Sequence, residues 1–246
     1  MELGWLTARP VAHRGLHDSG RGIIENTPSA IEAAIAAGYA IEVDVRRTGD
    51  GRAVVFHDDT LDRLTTARGA VAARSLDELR HVRLRGTTDR IKDLEALLDQ
   101  VAGRTALFVE LKSLWDGDTT LVRCLARAVA GYRGQLAAMS FDPVLVAALR
   151  RTVPTLPRGI VACRFDTAAE RRRVTALRRL VLRHVLHAPM TRPHFIAYDV
   201  NGLPAPATRV FRLSGRPVLA WTIRSQADAL HARRYADQII FEGMRP

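Results

Sequence analysis

Short apolar runs alternate along the chain with longer stretches in which apolar residues recur at helical spacing. The strand-like runs lie at residues 11–12, 39–45, 53–56, 106–111, 136–140, 159–163, 195–198, 217–221 and 238–241. Helical patterns occupy 28–37, 94–101, 119–130, 143–150, 168–186, 205–213 and 226–233. Such alternation predicts a parallel sheet with helical crossovers. About eight strand–helix units in 246 residues fit a (β/α)8 TIM barrel, an α/β fold, better than an open sheet. Residues 60–90 break the rhythm with Thr65-Thr66, Gly69, Gly86 and Thr87-Thr88, which predicts a small insertion after the second strand region. No linker, low-complexity tract or short repeat divides the rest, so one domain is expected over residues 1–246.

Composition narrows the class. With 47% hydrophobic and 26% charged residues the chain can bury a sizeable core, which excludes a disordered protein. No apolar run approaches the roughly 18 residues of a membrane span, and the first ten residues lack the apolar stretch of a signal peptide. A cytoplasmic location and no stable membrane anchor are expected. Cys124 and Cys163 stand far apart in apolar surroundings and read as buried free thiols. The net charge of +11 comes from arginine, since Lys92 and Lys112 are the only lysines. One dense run, Arg171-Arg172-Arg173 with Arg178, Arg179 and Arg183, accompanies Val174, Leu177, Val181 and Val185 at helical spacing. That spacing predicts an amphipathic helix with its apolar stripe inward and its arginines outward. No aromatic residues interleave with the arginines, so a nucleic-acid partner is not expected.

Candidate chemistry concentrates between His13 and Thr65. Residues 11–15 read as a short strand ending in His13 and Arg14. Glu25-Asn26-Thr27-Pro28 reads as a helix start, with Asn26 or Thr27 capping and Pro28 in the first turn, and leaves Glu25 and Asn26 free to face a site. In Glu42-Val43-Asp44 two carboxylates share one strand face while Ile41, Val43 and Val45 take the other. Two buried carboxylates on one face repel and lose hydration, which is costly unless a cation lies between them. His57 follows the apolar run 53–56, and Glu110-Leu111-Lys112 repeats the alternation, adding a third carboxylate. Catalytic groups of such barrels sit at the C-terminal ends of strands, where His13, Glu42, Asp44, His57 and Glu110 are all expected.

The segments HRG, ENT, EVDV, TGDG, VVFHDDTLDR and ELK, with Ala220-Trp221-Thr222-Ile223 late in the chain, resemble the glycerophosphodiester phosphodiesterases. The resemblance covers most of the chain and is densest in its first third. Departures from the family pattern are Ile24 for a proline before ENT, Lys92 where a proline often precedes the next helix, and Glu242 where Thr-Asp is usual.

The resemblance implies a divalent metal on Glu42, Asp44 and Glu110, His13 and His57 as the acid–base pair, and Arg14 and Lys112 near the phosphate. It also implies release of sn-glycerol 3-phosphate and an alcohol, often through a cyclic phosphate formed by the glycerol 2-hydroxyl. An all-oxygen, anionic ligand set suits Mg²⁺ or Ca²⁺ better than Zn²⁺. Trp221, at a strand end, is a candidate wall for the glycerol moiety, and Trp115 could act likewise from a loop. His17 and the remaining histidines read as surface or structural. Two other readings stand beside the leading one. A lysophospholipase D would use the same centre but want a membrane-docking helix, and no such helix stands out. A catalytically inactive barrel that binds anionic surfaces would be expected to have lost some of these polar residues. The partner expected is a small-molecule glycerophosphodiester.

Overall fold

The computed structural model describes residues 3–246, apart from the side chains at positions 169, 170 and 173. Arg173 of the arginine run and Glu2 of the N-terminus are therefore outside the described side chains. Among the described residues nine strands form one sheet: β1 (Val11–Ala12), β2 (Ala40–Arg47), β3 (Ala53–Val55), β4 (Leu107–Leu111), β5 (Leu136–Ser140), β6 (Arg158–Ala162), β7 (Phe195–Asp199), β8 (Val218–Ile223) and β9 (Gln238–Phe241). The order β1-β9-β8-β7-β6-β5-β4-β2 closes through a parallel β1–β2 pairing, giving an eight-stranded parallel barrel. Helices α1 (Pro28–Ala36), α2 (Leu76–His81), α3 (Leu94–Val101), α4 (Thr120–Val129), α5 (Pro143–Thr152), α6 (Ala168–Arg173), α7 (Ala176–Arg183), α8 (Ala188–Thr191), α9 (Pro206–Leu213) and α10 (Gln226–Ala232) connect them. This is the TIM-barrel fold that the alternating pattern predicts.

Period-two alternation sorts the strand residues into two layers. Ile41, Val43, Val45, Leu107, Val109 and Leu111 face outward and pack with Leu97, Leu98, Leu125 and Leu149 of the helices. Ala40, Phe108, Met139, Val161, Phe195, Ala197, Leu219 and Ile240 fill the barrel interior. Trp5 and Leu6, from the N-terminal 3-10 turn, pack with this set, the Trp5 ring 5.8 Å from Phe108. Phe108 in turn meets Phe195 edge-on at 5.8 Å. Gly159 belongs to this inner layer, and a Cβ there would lie 2.3 Å from the Phe195 ring. The interior is thus apolar below and changes to carboxylates toward the C-terminal ends of β2 and β4.

The run at residues 53–56 is not a barrel strand. β3 pairs antiparallel with the overhanging end of β2, Val45 opposite Val55 and Arg47 opposite Ala53. A hairpin therefore rises above the barrel and returns, with Phe56 N donating to Asp44 O at 3.0 Å. The insertion after it carries α2, which opens with a Ser75–Glu78 capping box. It packs its own cluster of Val54, Phe56, Leu61, Val71, Leu76, Leu79, Leu84 and Ile91.

The helix expected over 168–186 is broken. Val174 and Thr175 separate α6 from α7, and Thr175 caps the second by accepting from Arg178 N. The expected inward stripe also fails at Leu177, which is 73% exposed, whereas Val174, Leu182 and Val185 are buried. The break rotates α7 away from the single-helix register, because Val174 and Leu182 are drawn together onto Cys163 and Phe165. A helix with outward leucines thus does exist. Neither Asn26 nor Thr27 caps α1 with its side chain; Thr27 Oγ1 donates to Ile24 O, and Asn26 is engaged elsewhere.

Candidate active site

Glu42 and Asp44 project from β2 into the top of the barrel, and Asp44 stands in register with Glu110 on the adjacent β4. All three are buried, with one carboxylate oxygen of each lying within 4.8 Å of the others. Lys112 Nζ sits 3.0 Å from Asp44 Oδ1 and 2.7 Å from Glu110 Oε1. Arg14 Nε lies 3.1 Å from Asp44 Oδ2. Asn26 clamps the same residue, its Nδ2 donating to Asp44 Oδ2 at 2.9 Å while its Oδ1 accepts from Asp44 N at 3.1 Å. Glu42 Oε1 is buried with no hydrogen-bond partner among the described residues.

Electrostatics separates the three acids. Burial pushes Glu42 well above the ordinary carboxylate range, and repulsion from Asp44 and Glu110 adds to this. Burial acts on Asp44 in the same sense, but Lys112 and Arg14 overcome it and hold Asp44 far below its ordinary value. Lys112, though buried, is kept protonated by Asp44 and Glu110. Two cations thus face three carboxylates, and Glu42 carries the unbalanced charge. Its free oxygen, the shared direction of the ligand atoms and the all-oxygen donor set fit a hard divalent cation.

Two histidines flank the cluster, each with a carboxylate on Nδ1. His13 follows β1, where its backbone N donates to Phe241 O at 2.9 Å. Its Nδ1 meets Glu242 Oε2, and its Nε2 lies 3.9 Å from Glu42 Oε2. Glu242 occupies the position after β9, the barrel neighbour of β1. Its carboxyl is held far below the ordinary range, burial notwithstanding, by the hydrogen bond to His13 and by the nearby His17 and Arg224. His17 Nε2 lies 3.8 Å from Glu242 Oε2, so it supports the rim of the site.

His57 does not come from a barrel strand, as the sequence pattern suggests; the β2–β3 hairpin returns it to the top of the barrel. Its Nδ1 lies 2.7 Å from Asp58 Oδ1, and Arg46 Nε donates to its carbonyl at 2.6 Å. Burial pulls His57 below the ordinary histidine value, although Asp44 opposes this. Asp58 drops to about 2, burial being outweighed by Arg63 and His57. Arg63 bridges Asp58 and Glu25, and Glu25 Oε1 accepts from Arg14 at 2.7 Å. A continuous polar chain therefore joins His57 to Arg14.

The sequence pattern gives no role to Asp58, Arg63 or Glu242. Asp58 and Arg63 were legible in HDDTLDR, whereas Glu242 shows its role only when β9 closes on β1. Trp221 lies in the second half of β8, which runs on to Ile223, with its indole Nε1 buried and unbonded among the described residues. Its ring meets Phe141 edge-on at 5.5 Å. A cavity of about 220 Å³ opens beside Glu110 and Lys112 and is walled by Trp115, Phe141, Phe165 and Val174. The larger grooves, about 970 and 880 Å³, are lined from the helix ends and strand starts and hold no acidic cluster. Three of the other histidines have structural partners: His194 Nδ1 accepts from Arg158 N, His231 faces Leu203 O, and His187 faces Thr191 Oγ1, burial taking it down to about 4.

Residues 13–241 match the sequence profile described as the glycerophosphoryl diester phosphodiesterase family. The chain belongs to that family. As a member it is a phosphodiester hydrolase built on a TIM barrel. YhdW of Bacillus subtilis is 28% identical over 233 residues, covering 89% of this chain and 87% of its own. The glycerophosphodiester phosphodiesterase of Caldanaerobacter subterraneus is 44% identical over a shorter stretch of 71 residues, 28% of each chain. Among solved structures, an Oleispira antarctica phosphodiesterase in complex with the product sn-glycerol-3-phosphate superposes with a TM-score of 0.79 at 21% identity, covering 96% of this chain and 93% of its own. That likeness carries the fold. Among the described residues, no helix is long and apolar enough to cross a membrane.

Proposed function

We propose that the chain hydrolyses glycerophosphodiesters to sn-glycerol 3-phosphate and an alcohol, using His13 and His57 beside a cation held by Glu42, Asp44 and Glu110. The observation that carries this reading is the carboxylate cluster with a histidine on either side, each histidine turned by a carboxylate on Nδ1. A divalent cation of the Mg²⁺ or Ca²⁺ type would polarise a non-bridging phosphate oxygen and offset the charge gathering on it. Arg14 and Lys112 bring charge-assisted donors to the phosphate from the floor of the site. One histidine takes the proton of the attacking glycerol hydroxyl through Nε2 and the other protonates the leaving alkoxide. Water then opens the resulting cyclic phosphate to sn-glycerol 3-phosphate, the two histidines exchanging roles. Glu242 and Asp58 keep the two rings oriented for that exchange. Trp221 offers its ring face to the glycerol carbons and its free indole N–H to an oxygen.

The relative solved with sn-glycerol-3-phosphate supports the product. Cys124, a buried free thiol, suits a reducing compartment, which supports a cytoplasmic location. Lipid-bearing diesters form the second reading, favoured by the apolar wall of Phe141, Phe165 and Val174. The deciding assay is hydrolysis of glycerophosphocholine and of lysophosphatidylcholine after chelation and after restoring Mg²⁺, Ca²⁺ or Zn²⁺. Turnover that survives exhaustive chelation would overturn the metal assignment, and cleavage of neither diester would overturn the substrate class.

A further inference from the structure

The segment from Cys163 to Arg183 leaves β6 on the same side of the barrel as the acidic cluster. It stays at that end: Tyr198, near the C-terminal end of β7, donates to both Cys163 O and Arg183 O, at 3.4 and 3.2 Å. Val174 walls the cavity, and Arg178 stacks 4.7 Å over the Trp115 ring, so α7 borders the mouth. One side of α7 buries Leu182 against Phe165 and Val174. The other presents Leu177 and Leu180, three residues apart and 73% and 50% exposed. Leu114, on the loop that carries Trp115, is 43% exposed. Arg164, Arg171, Arg172, Arg178 and Arg183 are exposed on the same excursion. Along its length the segment holds seven arginines against Asp166 and Glu170.

We infer that α6 and α7 form a docking surface for a bilayer carrying anionic phospholipids, which sets the cavity mouth against the headgroup layer. The charge sign and the side-chain type both select this occupant. Each arginine close to an anionic surface strengthens partitioning by roughly fivefold. Outward leucines on a short, arginine-flanked helix add apolar insertion at the headgroup boundary. A nucleic acid would want stacking platforms, yet Trp115 is covered by Arg178 and the exposed apolar groups are aliphatic. A second copy of the chain would bring the same arginines face to face across a two-fold contact. The inference stands on this surface alone and does not depend on which diester is cleaved.

Sedimentation of the full chain with phosphatidylcholine vesicles, with and without about one-third phosphatidylglycerol, tests it. Binding to the anionic vesicles should exceed binding to neutral ones by at least about tenfold at low salt and weaken as salt rises. The double variants Leu177→Glu/Leu180→Glu and Arg171→Gln/Arg172→Gln should each lose at least about tenfold of that binding. Both should keep their melting temperature and their turnover of soluble glycerophosphocholine, since none of these side chains belongs to the site. Equal binding to neutral and anionic vesicles would overturn the inference, as would undiminished binding by the leucine variant. A dimer in solution that the leucine variant dissolves, or RNA binding stronger than vesicle binding, would assign the surface to a different partner.

Discussion

Glu42 is the residue at which structure and chemistry meet most sharply. Its folded proton affinity is raised, chiefly by burial, so in chelated protein stability falls as pH rises from about 4.3, the unfolded value, through the raised one. Glu42→Gln should remove that fall and raise Tm by a few degrees in the chelated state at neutral pH, while weakening cation affinity and turnover together. Calorimetry on chelated wild type and variant reads the sign, and a lower Tm for the variant would mean the carboxylate serves structure alone. His13→Ala and His57→Ala should each lower kcat by about 10²–10⁴-fold without loss of folding, measured with glycerophosphocholine beside a melting curve. Glu242→Gln tests ring orientation rather than proton transfer. It should lower kcat by at least about tenfold with KM little changed, and an Asp at this position should rescue less than the native Glu.

At the scale of elements, the barrel depends on tight turns that place His13 and His57. After β1 the chain turns through Arg14 and Gly15, both at positive φ, and Gly15 N donates to Glu42 O at 3.2 Å. A Cβ on Gly15 would lie 2.8 Å from the backbone carbonyl carbon of Ala30. Gly15→Ala should therefore cost about 1–3 kcal/mol, through strain and through displacement of α1. At roughly 2–4 °C per kcal/mol, differential scanning calorimetry would see it plainly. Turnover should fall further than stability, because Arg14, Asn26 and His13 all hang on that turn. The hairpin shows the same dependence. β2 is legible as a strand, but its overhang and the antiparallel return of β3 decide that His57 reaches the cluster. Helix 168–186 illustrates the opposite outcome, in which a continuous periodicity is cut because Val174 and Leu182 gain more by covering the barrel top.

For the whole molecule, the closed sheet gathers residues from β1, β2, β4, β8 and β9 into one mouth, and a cation there would join segments distant in sequence. A ligand that binds only the folded state stabilises it by about 2.7 kcal/mol at a hundred times its Kd. Saturating Mg²⁺ or Ca²⁺ should thus raise the Tm of chelated wild type by roughly 5–10 °C. It should do much less for Glu42→Gln, and Zn²⁺ should restore activity less well than either. Thermal melts in a metal titration read this independently of turnover.

Local pattern along the chain is enough to establish the barrel, the parity of its strands and the acids they carry. Alternation in Ile41-Glu42-Val43-Asp44-Val45 assigns two carboxylates to one face, and the same parity in Val109-Glu110-Leu111 assigns the third. Local rules suffice there, because side-chain direction on a strand follows from backbone geometry. The partners of those acids were decided only in three dimensions. Glu242 meets His13 because β9 lies beside β1, and Lys112 settles between Asp44 and Glu110 because β4 lies beside β2. Leu177 faces outward because a break at Val174 and Thr175 rotates α7. Register between strands and competition for burial are long-range quantities, and no window of the chain contains both members of such a pair.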